Sequence, residues 1–200
     1  MAAAGEHPLE HSWVVWEQRS TDGGSGGYGE SFKPIAAAST VESYWAQWLH
    51  IAPPSHFGGS GVRSLAVFLS GIRPAWEDAA HAHGGILRCG LSAAEQQLDR
   101  LWHTLVLGVI GGSIGGSAGH VTGLRVVDAS NGGRPNHRLE VWVCTFEASG
   151  AVRDAIAVAL AEAKNAFCPA EELKSVPAFA WLEQPLYVRT RARGLRRWKS

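Results

Sequence analysis

The segment Ile72-Arg73-Pro74-Ala75-Trp76-Glu77-Asp78 places a tryptophan beside a carboxylate in a part of the chain that is predicted to be irregular. Pro74 fixes its own φ and biases the preceding residue toward extended geometry, and Gly71 also disfavours a helix. The indole of Trp76 can stack on a cationic ring, while the Glu77 carboxylate can accept from two ring N–H groups. A guanine base offers those donors, and methylation at N7 adds the positive charge. Alternatively, Trp76 fills a gap in the core, since tryptophan is largely buried on average.

The composition is typical of one globular domain. The chain has 200 residues, 46% hydrophobic and 18% charged, with a formal net charge of zero. Nine tryptophans against three tyrosines is an unusual balance, and stacking sites are one use for it. No apolar run reaches the roughly 18 residues of a membrane span, and the start has no signal-peptide pattern. The three cysteines match neither a disulfide framework nor a zinc pattern, which indicates a reducing compartment.

Both ends of the chain are expected to be flexible. We predict one domain over residues 1–200, with a core at about 7–185 and flexible tails at 1–6 and 189–200. A solvated tail and a phosphate-binding rim are both compatible with the basic residues near the C-terminus. These are Arg189, Arg191, Arg193, Arg196, Arg197 and Lys199.

The order of predicted elements indicates an α+β domain. Strands and helices do not alternate as βαβ units, so we expect a largely antiparallel sheet with helices on one face. Strands are predicted at 12–18, 64–69, 86–91, 120–128, 139–146 and 176–182, and helices at about 39–51, 92–110 and 151–164.

The first predicted helix has more apolar surface than one core-facing stripe needs. A capping box at Ser39-Thr40-Val41-Glu42 opens it, and it is predicted to end near Ile51, before two prolines. A partner site that includes Val41 and Trp45, at i and i+4, is one interpretation. A helix sunk deeply in the core is the other.

The sequence carries no catalytic or metal-binding motif, and we expect neither a metal nor a cofactor. A P-loop and an H-E-x-x-H motif are missing, and the letters of G-x-G-x-x-G (24–29) and G-x-S-x-G (23–27, 111–115 and 115–119) occur only in predicted glycine-rich loops. His81 and His83 lack a plausible third ligand, so structural or exposed roles are favoured. The segment Thr21–Gly29 is a glycine-rich loop whose one aromatic residue, Tyr28, either serves a ligand or partner or has no such role.

A series of short motifs runs in order along about 170 residues, and together they resemble the eukaryotic initiation factor 4E family. Each motif is weak alone, but their order and spacing are specific. They are His7-Pro8-Leu9 followed by Trp13 and Trp16; Thr40-Val41-Glu42 with Tyr44-Trp45 and His50-Ile51; Gly71–Asp78; Gly84-Gly85; Leu98–Trp102; Val109–Gly111; and Val141-Trp142.

The resemblance implies a curved, mainly antiparallel sheet of about eight strands, with three helices on its convex face. It also implies that the concave face binds the 7-methylguanosine cap of mRNA between two aromatic rings. Trp76 stands at one of these positions, and Tyr28 at the other, where the family usually has tryptophan. Glu77 matches the carboxylate that accepts from the guanine N–H groups, and Trp142 matches the indole beside the N7-methyl group.

The resemblance assigns the cap phosphates to basic residues on two strands or loops. The family's usual arginine after the Gly-Gly pair is Ile86 here, and Arg88 follows two residues later on the same strand face. Before Trp142 an insertion interrupts the family's basic cluster. There Arg138 aligns best, with Arg134 and His137 as substitutes; the phosphate set is therefore Arg88, Arg134 and Arg138.

The resemblance further implies a convex surface that binds a helical peptide. The expected partner is a scaffold initiation factor of the 4G type or a 4E-binding repressor. His103 stands where the family usually has leucine, so partner choice is expected to differ. The residues assigned to this surface are His7, Pro8, Val41, Trp45, Trp102 and His103.

We therefore predict a monomeric cap-binding protein that recruits a translation-initiation partner, acts in the cytoplasm with the nucleus as a second location, and has no membrane partner. One alternative is a protein-interaction or general RNA-binding module with weak or no cap binding, motivated by Tyr28 and Ile86. Another is an enzyme that acts on capped or free nucleotides, which the lack of a nucleophile–base pair disfavours.

Overall fold

The computed structural model describes residues 5–20, 32–91, 95–115, 119–130, 136–167 and 178–183. Of the two predicted tails, residues 1–4 and 189–200 lie outside these ranges. The strands are β1 Pro8–Arg19, β2 Phe32–Thr40, β3 Val62–Leu69, β4 Gly85–Leu91, β5 Val121–Asp128, β6 His137–Val143 and β7 Ala180–Glu183. The helices are α1 Val41–Trp48, α2 Phe57–Ser60, α3 Glu95–Ile110 and α4 Ser149–Phe167.

The strands form one curved sheet in the order β2-β1-β3-β5-β6-β4-β7. Every neighbouring pair is antiparallel, which confirms the predicted α+β class. About eight strands were predicted, and the described part of the chain has seven.

Strand β2 was not predicted from the sequence. Its residues, FKPIAAAST, include a proline and three alanines, which are poor strand formers. Pro34 is tolerated because β2 is at the edge of the sheet and pairs only with β1, so the missing N–H breaks no central ladder. Position in the sheet overrides local propensity here.

The alternation of side chains along the strands divides the sheet into two faces. One face is covered by α1, α3 and α4, which bury their apolar stripes against it. Its core includes Val15, Leu65, Val67, Leu87, Leu124, Leu139 and Val141 from the strands, Tyr44 from α1, Leu98, Trp102 and Leu105 from α3, and Val152, Ile156 and Leu160 from α4. Burying each large apolar side chain contributes roughly 1.5–3 kcal/mol.

Helix α1 is fixed at its N-terminus by a capping box that lies one residue later than predicted. The Thr40 hydroxyl accepts from the Ser43 backbone N–H at 3.1 Å, and the Ser43 hydroxyl accepts from the Thr40 N–H at 3.0 Å. Glu42 instead binds His7, accepting from its backbone N–H at 3.0 Å and from Nδ1 at 2.7 Å. These hydrogen bonds lower the pKa of Glu42 to about 2. The helix ends at Trp48, earlier than the predicted Ile51.

Two kinds of feature are missing from the described part of the chain. Its helices are too short or too polar to cross a membrane. Its histidine, cysteine and acidic side chains nowhere gather in a group of three or more that could hold a metal ion.

Packing on the side of the sheet away from α1, α3 and α4 requires a glycine at position 123 of the central strand β5, and this gives a prediction for stability. A Cβ atom at Gly123 would overlap the Phe68 ring. Gly123→Ala should therefore lower the free energy of unfolding by about 1–3 kcal/mol in urea titration. Gly90→Ala is the matched control, because a Cβ there meets nothing within 4 Å. Equal stabilities of the two variants would contradict this packing.

Candidate functional site

The side of the sheet away from α1, α3 and α4, which we call the open face, carries a second apolar cluster. Phe32, Ala66, Phe68, Ile86 and Trp142 form it, and Trp16, Ile72 and Trp76 pack against it. Ile72 and Trp76 come from the loop between β3 and β4. This loop is irregular around Trp76, as the sequence predicts.

The Asp78 side chain holds the loop in shape. One carboxylate oxygen accepts from the Arg73 backbone N–H at 2.9 Å, and the other accepts from the Ala80 N–H at 3.0 Å. Gly71 takes a φ of 89°, a value that favours glycine. The Asp78 side chain thus binds the backbone both before and after Trp76 and Glu77.

His81 fixes the same loop to the sheet. The sequence predicted a structural or exposed role for this histidine but not its partners. Its Nδ1 donates to the Ala75 carbonyl at 2.8 Å, and Nε2 lies 3.1 Å from the Thr122 hydroxyl on β5. Burial lowers the pKa of His81 and favours the neutral ring. Because Nδ1 carries the proton, Nε2 accepts from Thr122. The Thr122 hydroxyl has one hydrogen, which it donates to His81, so it does not also donate to the Trp142 carbonyl 3.3 Å away.

Trp142 is the floor of the site and is only 1% exposed. Its ring contacts Phe68 and His81, with centroids 5.5 Å and 4.7 Å away. Trp76 lies on it at 4.5 Å and an interplanar angle of 39°. At this distance no third ring fits between the two indoles, so a base that stacks on Trp76 must use its other face or displace it.

The structure brings together part of the predicted base-binding set. Trp76 and Trp142 are in direct contact, and the exposed Glu77 follows Trp76 on the loop. Trp142 is buried beneath Trp76 and has almost no surface for the N7-methyl group, contrary to the prediction. Trp76 is half-buried, so it both anchors the loop and keeps part of its surface accessible. Tyr28 lies outside the described residues, and its role stays a prediction.

The predicted phosphate residues Arg88 and Arg138 lie on the open face, next to the aromatic floor. Cross-strand pairing places Arg125, Glu140 and Arg88 side by side on β5, β6 and β4, two residues along from the row that contains Trp142. Arg138 lies two residues before Glu140 on β6 and therefore shares its face. Arg88 is exposed, and Arg138 is partly exposed.

Two other phosphate candidates have different outcomes. Arg134 lies outside the described residues. His137 alternates with Arg138 along β6, so its side chain lies on the helix-covered face, where it is buried. It cannot substitute for Arg138 on the open face, and that expectation is wrong.

The sequence did not reveal a charged pair that lies on the open face. Arg125 is 3% exposed and Glu140 is 4% exposed, and their charged atoms are 3.9 Å apart. Glu140 also accepts from Arg138 Nε at 2.7 Å. An arginine inside the apolar run of β5 was the available signal, because a charge is rarely buried in a strand without a partner.

On the opposite side of the molecule, four residues form what we call the helical patch: Val41 and Trp45 on α1, and His103 and Leu107 on α3. Val41, Trp45 and Leu107 are each 39% exposed. The Trp45 and His103 rings meet edge to face at 5.6 Å, which joins the two helices. Leu107 was missed, although it lies one turn after His103 on the same helix side.

The other predicted partner residues have different environments. Trp102 is 2% exposed and packs in the core beneath the patch. A partner cannot reach it, contrary to the prediction. His7 is bound to Glu42, and Pro8 pairs with Thr40, so this exposed segment lies beside the start of α1. His103 is half-buried, stacks on Trp48 at 5.5 Å, and has a pKa lowered by burial.

The architecture and the site agree with a comparison against known families. A family model described as eukaryotic initiation factor 4E matches residues 8–168. The chain belongs to this family. The relationship suggested by the sequence motifs is thereby confirmed.

Among curated proteins, the chain is similar to the eukaryotic translation initiation factor NCBP of Triticum aestivum. The two are 39% identical over 111 residues, which cover 54% of this chain and 45% of the relative. It is also similar to eukaryotic translation initiation factor 4E of Saccharomyces cerevisiae, with 30% identity over 137 residues, 68% of this chain and 62% of the relative. The matches thus span about half to three fifths of these relatives' lengths.

Solved structures of initiation factor 4E proteins share the fold. Caenorhabditis elegans eIF4E-3, in complex with the 4E-binding protein Mextli and a cap analog, gives a TM-score of 0.65 at 20% identity, covering 94% of this chain and 96% of that chain. Ascaris suum eIF4E-3 with an m2,2,7G cap gives 0.65 at 21% identity, covering 90% and 92%.

The buried His81 generates a prediction for pH dependence. Its pKa is lowered in the folded protein, so its contribution to stability is complete above the ordinary value of 6.5 and is lost as the pH falls below it. His81→Asn removes this titration together with the link from Nε2 to Thr122. The difference in melting temperature between the parent and the variant should therefore shrink from pH 7.5 to pH 5.5. The other histidines are common to both proteins, and a constant difference would contradict the assignment.

Proposed function

We propose that the protein binds the 7-methylguanosine cap of mRNA on the open face and a helical peptide on the helical patch. The observation that supports cap binding best is the contact of Trp76 with Trp142, beside Glu77 and near Arg88 and Arg138 on the same face. An aromatic surface, a carboxylate and cations match the base, its N–H groups and the phosphates in turn. Ascaris suum eIF4E-3 was solved with an m2,2,7G cap, and the shared fold is consistent with this proposal.

Preference for the methylated base follows from its charge. Methylation at N7 leaves a delocalised positive charge on guanine, which adds a cation–π attraction of roughly 0.5–2 kcal/mol per aromatic face. Base stacking itself contributes about 1–3 kcal/mol. The positive charge also strengthens the guanine N1–H as a donor to Glu77. The proposed mechanism is binding, with no bond made or broken.

Phosphate binding is assigned to Arg88 and Arg138. Both lie on the open face, on neighbouring strands β4 and β6, and both have exposed surface. Charge-assisted hydrogen bonds from a guanidinium suit phosphate oxygens better than a single point charge does. Ile86, where the family usually has arginine, is buried in the apolar cluster and supplies no charge.

A second candidate function rests on that same departure. With Ile86 in place of an arginine, the open face has one cation fewer for phosphates. A module that acts mainly through the helical patch, with weak or no cap binding, is the corresponding alternative. Cap-analogue binding to the unaltered protein separates the two functions.

The helical patch is proposed to bind an amphipathic peptide helix from an initiation scaffold or a 4E-binding repressor. Large, partly exposed aromatic side chains are common anchors for such helices. Trp45 is held in place by ring contacts with Tyr44 at 5.1 Å and with His103 at 5.6 Å. Caenorhabditis elegans eIF4E-3 was solved with a 4E-binding protein, which is consistent with the same kind of partner here. We propose a monomer that acts in the cytoplasm, with the nucleus as a second location.

The first test of this function concerns the carboxylate. Glu77→Ala should weaken binding of 7-methyl-GTP about 10- to 100-fold, because hydrogen bonds to a charged group are worth about 1.5–3 kcal/mol. Isothermal titration calorimetry measures the effect. Glu162→Ala, an exposed acidic residue on α4, is the control and should bind like the parent. Equal affinities of the two variants would exclude Glu77 from the site.

The second test separates the two surfaces. Trp45→Ala should weaken binding of a 4G-type scaffold peptide by roughly 30-fold or more, as expected for an aromatic anchor worth about 2 kcal/mol. Binding of 7-methyl-GTP should stay unchanged, because α1 and the open face are on opposite sides of the sheet. Fluorescence anisotropy reports the peptide, with Val158→Ala on α4 as an exposed apolar control. Loss of both ligands by a folded Trp45→Ala protein would contradict this separation.

A further inference from the structure

The Arg125–Glu140 pair lies buried on the open face, where both charges have lost most of their water. Removing two charges from water is costly, and a pair at this depth is weak support for stability. The pair lies in the row next to Trp142, on β5 and β6, and the exposed Arg88 of β4 completes that row. In some proteins a buried ion pair is retained for specificity and not for stability.

Arg125 is held from several directions at once. Its Nε donates to the Ser64 hydroxyl at 2.7 Å, and Nη2 donates to the Gln18 side-chain oxygen at 2.8 Å. Its guanidinium also lies 5.0 Å from the centroid of the Phe32 ring. These contacts come from β3, β1 and β2, so the cation is fixed by the sheet itself.

The Glu140 carboxylate is placed between two guanidinium groups but binds them unequally. Oε1 accepts directly from Arg138 Nε at 2.7 Å, whereas Oε2 is 3.9 Å from Arg125 Nη1, beyond hydrogen-bond range. Within the described residues, Oε2 has no hydrogen-bond partner. The direct bond of this carboxylate therefore goes to Arg138, and Arg125 serves as its fixed counter-charge.

A bond to Nε restrains the plane of a guanidinium. The group is planar and has five N–H donors in a rigid fork, so holding Nε restricts where the four terminal donors can lie. The Arg138 side chain is 32% exposed, and its terminal groups remain available to a ligand. Without this restraint, a long arginine side chain loses rotamer freedom when it binds a phosphate.

We propose that Glu140 is a positioning residue for the cap phosphates: backed by Arg125, its carboxylate holds the Arg138 guanidinium in one orientation for phosphate binding. The inference rests on the proposed cap-binding function. It requires that pre-orientation of Arg138 outweigh the repulsion between the Glu140 carboxylate and a phosphate. The two effects have opposite signs, so binding measurements decide between them.

The test uses the phosphate increment, which we define as the ratio of the affinity for 7-methyl-GTP to the affinity for the nucleoside 7-methylguanosine. Glu140→Ala should lower the increment roughly fivefold, because Arg138 loses its acceptor. Glu140→Gln should restore most of it, because the amide oxygen can still accept from Nε. In the Arg138→Ala background, Glu140→Ala should no longer lower the increment.

Other results would overturn the proposal. If the carboxylate mainly repels phosphate, Glu140→Ala and Glu140→Gln both raise the increment. If the pair is only structural, nucleoside and nucleotide affinities fall together and the increment is unchanged. Since Glu140→Ala leaves a buried Arg125 without its counter-charge, Arg125→Met/Glu140→Met is the second variant; it removes both charges and should also lower the increment.

The same titrations separate failure of this inference from failure of the proposed function. A parent protein that binds neither 7-methylguanosine nor 7-methyl-GTP contradicts cap binding as a whole. A parent that binds both equally has no phosphate contact and contradicts the role of Glu140 as well. A parent with a clear increment that Glu140→Ala does not lower contradicts only the positioning role.

Discussion

Packing around Trp142 is the interaction on which the rest of the site depends. The ring is almost fully buried on β6, where Phe68 supports it from below and His81 and Trp76 from the loop. Because His81 also binds the Ala75 carbonyl and the Thr122 hydroxyl, the loop is fixed to the sheet just before Trp76 and Glu77. The position of Glu77 therefore depends on how the loop packs on Trp142, Phe68 and His81 beneath it.

The sheet separates the two proposed activities. Side chains that alternate along one strand, such as Leu139 and Glu140, belong to the helix-covered core and to the open face respectively. Ligand recognition on one side and partner binding on the helical patch can then vary independently. His103, which joins Trp45 and Trp48 in place of the family's usual leucine, illustrates such variation on the partner side.

The sequence predicted those features that local chemistry determines. The irregular loop around Trp76 followed from Pro74 and Gly71, and a helix was correctly predicted where α3 lies. Strand β2 was missed because edge position, not propensity, stabilises it, and the capping box shifted because the Ser43 hydroxyl, rather than Glu42, completes it. The partner role of Trp102 came from the resemblance and is not supported by its burial, and the Arg125–Glu140 pair depends on strand register, which is a tertiary property. Tyr28 and Arg134 stay predictions from the resemblance.

Preference for the methylated base is the central claim of this account, and titration of the unaltered protein with 7-methyl-GTP and with GTP tests it most directly. Tryptophan fluorescence reports binding, because Trp76 and Trp142 lie at the proposed site. The account predicts that 7-methyl-GTP binds roughly tenfold tighter or better, from the added cation–π attraction and the stronger N1–H donor. Equal affinities for the two nucleotides would contradict it.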